Sequence, residues 1–516
     1  MSQAREPLDL AVVGAGTAGL YCAWRAATGA APDGSPLSPA GQAGRIGLFE
    51  ASNRLGGRVH TVVPDGARTL RGELGGIALM SGHELLMSLV ERLGLPREPL
   101  SGGDPHDLLY LREQRFTAAD WSNPEAVPYD LAPGERGQSP EQLLAGAIGE
   151  VVPEARELDP AGWDEAKRGL GFGGRSLTDI GLWDLMGELV SPEAFQLMSD
   201  AGSYRPQFEN WNAAEALADL CADWPRGSRY ERLRDGYEAL PAALANEFRT
   251  AGGTVRTGHR LAAIEPADGA LGLTFDVPGG DAATLRAKRV VLALPQAGLA
   301  RLAPHTPLTG DAGFARDLET VYAIPLFHLL LAYERPWWED LGIETGRSAT
   351  DLPIQTCFYF GSEDPAADGG DGRRRSLAMV GYSSAEATAF WDAYLAPAAD
   401  AEPIAPPPEM LAEVTRQLSA LHGMTVPEPY WAKLMDWRGE PFGGASHRWA
   451  VGARSWEVIP RMRRPAAGLG LHVCGEAWSD SQGWVEGGLR SAERVLREEL
   501  GLAAPDWLAA DVYTGP

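Results

Sequence analysis

The sequence predicts an α/β protein: a Rossmann-like domain assembled from separated segments, plus an α+β domain with a helical insert lying between them. Three observations carry this expectation. The chain opens with an apolar strand, a glycine-rich turn and a helix, "LDLAVVGAGTAGLYCAW". A long, Trp-rich middle follows that a minimal nucleotide-binding domain does not need. The chain then returns to an apolar strand and a glycine-marked helix start, "GLHVCGEAWSDSQGWVEGG".

Each element has a local reason. Leu8 to Val13 is an apolar run of strand length, and the helical pattern after "GAGTAG" lasts through Trp24. Residues 27–44 are rich in Gly, Pro and Ser and read as loop. Ile46–Phe49 is a second strand, delivering Glu50 at its end. "HELLMSLVERLGL", within 81–97, repeats apolar residues at helical spacing. From about 105 to 235 the pattern is mostly helical, broken by Pro and Gly. Strand-like residues return over 252–295 and finish in "RVVLALP". "VYAIPLFHLLLAY", 321–333, reads as one buried strand, and "AEPIAPPPE", 401–409, as a surface loop. The last helix runs from about Gly483 to Leu500. Nucleotide-binding segments are therefore expected at 5–80, 235–300 and 451–505, and second-domain segments at 81–234 and 301–450.

Composition narrows the function classes. The chain has 516 residues, enough for two or three domains. A formal net charge of −25 argues against nucleic acid and anionic membrane surfaces as partners. Cys22, Cys221, Cys357 and Cys474 are far apart, so neither a metal site nor a disulfide framework is signalled. The N-terminus has no signal-peptide pattern and no apolar run reaches membrane-spanning length, so a cytoplasmic protein is expected. A homodimer is the default assembly.

The opening turn carries chemistry. Gly14 permits a tight turn, Gly16 lets the backbone approach a pyrophosphate, and Gly19 lets the helix pack on the strand. The helix N-terminus then faces the anion. Glu50 is placed to accept hydrogen bonds from a ribose, and the loop at 27–44 accounts for its long spacing from Gly19. The run "ASNRLGGRVHT" adds Gly57 and Arg58, paired glycines and cations suited to a second close approach to a pyrophosphate.

That run after Glu50 resembles the flavin-containing amine oxidase superfamily, in which the matching stretch wraps FAD. "RGELGG" at 71–76, "DGYEALPAALA" at 235–245, "TVRTGHRLAAI", "VVLALP" and "GEAWSDSQGWVEGGLRSAE" follow in family order. The resemblance implies backbone contact of Leu261 with the adenine. It places Gly475 and Glu476 at the pyrophosphate and ribityl chain. It sets Gly483, Trp484 and Val485 at a helix start beneath the flavin. A helix N-terminus there would favour negative charge on the reduced ring. Covalent attachment is not expected, because Ala445 follows Gly443 and Gly444 where some members have cysteine. FAD is expected to bind non-covalently.

"TDLPIQTCFYF" and "GGASHRW" look most like bacterial FAD-dependent L-amino-acid oxidases. The resemblance implies a substrate pocket with Tyr359, Gln355, Trp437, His447 and Trp484, the last also flanking the reacting face. The resemblance puts the residue ordering a water near the flavin, counted from Pro295, on Arg301, or on Ala300 with a one-residue shift, while His328 reads as a core histidine in an apolar strand. Ala78 stands where such oxidases carry a carboxylate-binding arginine. Either another group holds the carboxylate or the substrate lacks one. The implied reaction is hydride transfer from the amine-bearing carbon to flavin N5. It yields an imine, which water hydrolyses to a keto acid and ammonia, while molecular oxygen reoxidises the flavin and is reduced to hydrogen peroxide. Two alternatives are an oxidase or dehydrogenase of a carboxylate-free or modified amine, and an FAD-binding partner subunit.

Overall fold

The computed structural model describes residues 6–37, 45–100, 106–201, 211–221, 227, 229–364, 373–381, 385–395, 402–439 and 442–516. Part of the loop expected at 27–44, residues 38–44, and parts of the stretch at 105–235 lie outside the described residues.

Five parallel strands build the first sheet in the order Thr254–Arg256, Ile46–Phe49, Leu10–Val13, Val290–Leu292, Leu471–Val473. The three central strands are buried throughout, as a parallel sheet covered on both faces requires. Alternation divides them: Ala11 and Val13 enter one core, Leu10 and Val12 another. The helices Thr17–Thr28, Ala239–Thr250 and Val485–Arg494 pack together on the second face. Strands from distant parts of the chain thus lie side by side.

The second sheet has seven strands, ordered Trp431–Asp436, Phe327–Tyr333, Ser376–Val380, Thr356–Ser362, Gly346–Thr350, Leu108–Leu111, Gln114–Thr117. Its odd-numbered residues on the Phe327–Tyr333 strand, Leu329, Leu331 and Tyr333, pack towards the helix Pro408–His422. Leu326, Leu330 and Ala332 face the other way, with Leu74 and Trp437. That second face looks onto the cavity described below. The insert contributes the helices Pro140–Val151, Leu182–Leu189, Pro192–Ala201 and Ala213–Cys221.

Two expectations change. The 105–235 stretch is not all helical: it begins with the hairpin Leu108–Leu111/Gln114–Thr117 and holds a second, Gly171–Phe172/Arg175–Ser176. Both turn residues of the second, Gly173 and Gly174, have positive φ, the geometry of a two-residue hairpin. The apolar run 321–333 is two strands, Val321–Ile324 and Phe327–Tyr333, in different sheets. Pro325 lies at the break, where it offers no N–H to a ladder. Among the described residues no helix is long and apolar enough to cross a membrane, and no cluster of His, Cys, Asp and Glu could hold a metal ion. All four cysteines are free and buried.

Candidate active site

The glycine turn is built by close approach. A Cβ on Gly14, at φ +99°, would stand 2.3 Å from the Ala293 carbonyl oxygen, and one on Gly19 would stand 1.9 Å from that of Gly14. Gly16, by contrast, has only the Gly57 Cα within 4 Å, at 3.8 Å, so its backbone is open to a ligand. Gly16 caps the helix Thr17–Thr28 with no side-chain acceptor, and the first turn carries no acidic residue. The orphan N–H groups and the buried, unpartnered Thr17 hydroxyl are therefore left for an anionic ligand. Glu50 accepts from Ala15 N–H at 2.7 Å and from the N–H and hydroxyl of Ser52, each at 2.9 Å. These bonds hold its carboxylate on the cavity wall with lone pairs to spare.

The opposite wall comes from the far end of the chain. Glu476 accepts from Arg58 at 2.7 Å, from the His447 N–H at 2.7 Å, from His447 Nδ1 at 2.9 Å and from the Gly483 N–H at 3.1 Å. Burial would raise this carboxyl, but the charges and hydrogen bonds of Arg58 and His447 hold it well below the usual carboxylate range. Arg58 also donates to the Ala445 carbonyl. Arg54 bonds the carbonyls of Leu55, Gly57 and Val59, so it fixes the shape of this turn. Trp484 caps the helix Val485–Arg494 without a side-chain hydrogen bond. The acid in its first turn, Glu486, instead accepts from Leu85 and Leu86 N–H and caps the helix Glu84–Arg92. The dipole of the final helix is left to the cavity.

One continuous cavity of about 1310 Å³ joins these walls to the face of the seven-stranded sheet. It is lined by Gly14, Gly16, Gly19, Glu50, Gly57, Arg58, Leu261, Gly475, Glu476, Gly483, Trp484 and Val485. Trp437, Phe358, Phe360 and His328 line it as well. The volume exceeds that of most small-molecule pockets and leaves room for a dinucleotide beside a small substrate. The uncapped helix starts, the open Gly16 and the held Glu50 fit a flavin dinucleotide.

The substrate side departs from expectation by one residue in two places. Tyr359 lies at the wall, but its hydroxyl bonds Ser348 at 2.7 Å and His422, on the side of the sheet away from the cavity. Its neighbours Phe358 and Phe360 pack on the cavity face, since side chains alternate along a strand. His447 is likewise turned away. Its Nδ1 donates to Glu476, its Nε2 accepts from Gln296 N–H at 3.4 Å, and it is fully buried behind the wall. Ser446 and Arg448, on either side, line the cavity. Gln355 is not on the wall; it is the turn residue between the strands Gly346–Thr350 and Thr356–Ser362, with φ 51°. Arg301 lines the cavity on a helix packed against the Arg260–Ala267 strand, where the like charge of Arg260 adds to burial in lowering its pKa. That strand also carries Leu261, which lines the same cavity.

Trp437 and Trp484 both line the cavity. Trp437 donates from Nε1 to the Leu74 carbonyl at 2.6 Å and meets Phe442 edge-on, ring centroids 5.0 Å apart. Trp484 stacks with Tyr230 at 6.4 Å and meets the His83 ring edge-on at 4.9 Å. His328, read from the sequence as a core residue, stands on the cavity face beside the backbone of Glu73 and Leu74. Burial lowers its pKa to about 4, so its imidazole is neutral at ordinary pH. No apolar alternation marks either strand face here; Phe358, Phe360 and His328 share a face through the pairing of their strands with Ser376–Val380, which no pattern in the sequence signals.

Residues 18–497 match the family described as flavin containing amine oxidoreductase. Aplysianin-A of Aplysia kurodai is 24% identical over 539 residues, covering 96% of this chain and 91% of that protein. The L-amino-acid oxidase of Mus musculus is 26% identical over 521 residues, covering 96% of this chain and 72% of that protein. The structure of cyclohexylamine oxidase from Brevibacterium oxydans superposes with a TM-score of 0.68 at 15% identity, covering 96% of this chain and 99% of that one. With a family match across nearly the whole chain, on a fold that brings the glycine turn and the closing helix to one cavity, this chain belongs to the flavin containing amine oxidoreductase family.

Proposed function

We propose that the chain is an FAD-dependent oxidase that deaminates an L-amino acid or amino-acid-like amine. Its products are a keto acid or imine product, ammonia and hydrogen peroxide, with molecular oxygen as the second substrate. The observation that carries this reading is the single cavity shared by a dinucleotide cradle and an aromatic chamber. When bound, FAD supplies the two-electron acceptor. Gly14, Gly16, Gly19, Glu50, Gly57, Arg58, Leu261, Gly475, Glu476, Gly483, Trp484 and Val485 would hold it, without a covalent bond because Ala445 offers no nucleophile.

The chain's own residues bind, orient and exclude water. Trp484, Trp437, Phe358 and Phe360 give an apolar chamber that favours a neutral amine over an ammonium. His328 adds a neutral ring that does not repel a substrate cation. The four free, buried thiols fit a cytoplasmic location.

One observation favours a second reading. Ala78 lines the cavity without a charge, which suits an amine that has no carboxylate. Anaerobic mixing of the flavin-loaded protein with L-amino acids and with their decarboxylated amines separates the two. Bleaching of the flavin band by amino acids alone supports the first reading. Bleaching by amines alone selects the second, and no bleaching by either leaves an FAD-binding partner subunit.

A further inference from the structure

Arg448 is buried, 7% exposed, on the strand Ser446–Trp449. Its Nη1 donates to the carbonyls of His447 at 2.8 Å and Gln482 at 3.1 Å. Its guanidinium carbon lies 4.5 Å from the centroid of the Trp211 ring. A Cβ on Gly483, the residue before Trp484, would come 2.8 Å from the same Nη1. Nε has no acceptor, and no carboxylate pairs with this side chain among the described residues.

The other arginines on the cavity are accounted for. Arg58 pairs with Glu476, Arg260 with Asp276 and Arg347 with Glu141. Arg301 stands beside Arg260, and Arg229 is exposed to solvent. Arg448 alone combines burial, a place on the wall and the lack of a counter-ion among the described residues. Carbonyl dipoles and a ring face supply only partial negative charge, and a buried cation held this way is costly until a full negative charge joins it.

We propose that Arg448 is the anion-binding group of the cavity and takes the carboxylate of the amino-acid substrate on the part of its guanidinium that faces the cavity. The assignment rests on the amino-acid reading above. A guanidinium edge suits a carboxylate in a way no other side chain does. Its place against Gly483 sets that carboxylate next to Trp484 and to the start of the final helix, whose dipole adds to the attraction. An anchor here needs no charge at position 78.

The test uses flavin-loaded wild type, Arg448→Met and Arg448→Lys. Two measurements are made: kcat/KM for L-phenylalanine and for phenethylamine, and binding of benzoate and of neutral benzamide by flavin absorbance. Arg448→Met should lose about 100-fold in kcat/KM on the amino acid and no more than about threefold on the amine, with Arg448→Lys between. Benzoate should bind wild type at least about tenfold more tightly than benzamide, and Arg448→Met should erase that gap. A purely structural role for Arg448 would lower both substrates together, and that outcome overturns the proposal. So does a benzoate preference that survives in Arg448→Met. If wild type oxidises no amino acid but its benzoate preference depends on Arg448, the anion site stands and the amino-acid reading falls.

Discussion

The Arg58 guanidinium donates to the Glu476 carboxylate at 2.7 Å, joining two turns 418 positions apart in the chain. The pair is the clasp between the two walls of the cavity. Replacing Arg58 by Met leaves a buried carboxylate with only His447 and the Gly483 N–H, so stability should fall by about 3–5 kcal/mol. Adding Glu476→Gln should restore part of that loss, because the orphaned charge goes with it. Urea unfolding of the single and double variants measures both, and the flavin-to-protein absorbance ratio should fall in each.

Trp484 caps the final helix yet also stacks with Tyr230 over the cavity. Trp484→Ala should lower kcat/KM by about 10–100-fold while flavin content stays within about twofold. Oxygen uptake and flavin absorbance on the same preparation supply the comparison; equal losses in the two would deny Trp484 a substrate role.

Tyr359 and Phe360 are neighbours with opposite duties. Tyr359→Phe removes the buried hydrogen bonds to Ser348 and His422, and about 1–3 kcal/mol of stability should go with them. Its KM should stay within about twofold of wild type. Phe360→Ala opens the chamber and should shift KM by about tenfold. A thermal melt beside a steady-state assay of each variant reads both effects.

Glu73 makes stability depend on pH. Burial raises its carboxyl from 4.5 to about 7, against hydrogen bonds from Tyr237 N–H and Thr61. The folded state therefore keeps a proton that the unfolded chain has already released. This group's stabilisation is complete below pH 4.5 and is lost as pH rises through 7, a total of about 3 kcal/mol. Melting curves from pH 5 to 8 should show Glu73→Gln gaining on wild type as pH rises; parallel curves would mean that Glu73 does not titrate in this window.

The nucleotide half was legible because its constraints are written in residue types. Gly14 and Gly19 are dictated by carbonyl oxygens closer than any Cβ allows, and no other residue substitutes for them. The chamber was harder to read. "TCFYFGS" is apolar or aromatic on both faces, so nothing in its pattern says whether Tyr359 or Phe360 looks inward. "FHLLLAY" is buried throughout, which hid the cavity-facing register of His328. Arg448 was missed for a different reason. Its meaning lies in the lack of an acidic neighbour among the described residues, a property of packing that no spacing in the chain records.

The parallel sheet sets Val290–Leu292 between Leu10–Val13 and Leu471–Val473. A ribosome adding about 5–20 residues per second makes the first strand roughly twenty to ninety seconds before the last. Val290–Leu292 is made before Leu471–Val473 as well, and until that last strand arrives it has an open edge, of the kind that recruits strands from other chains. The cofactor can be gripped from both sides only once the Glu476 turn has emerged. Flavin capture is therefore an event of finished polypeptides, and a nascent chain must be kept from aggregating without the ligand that later steadies it.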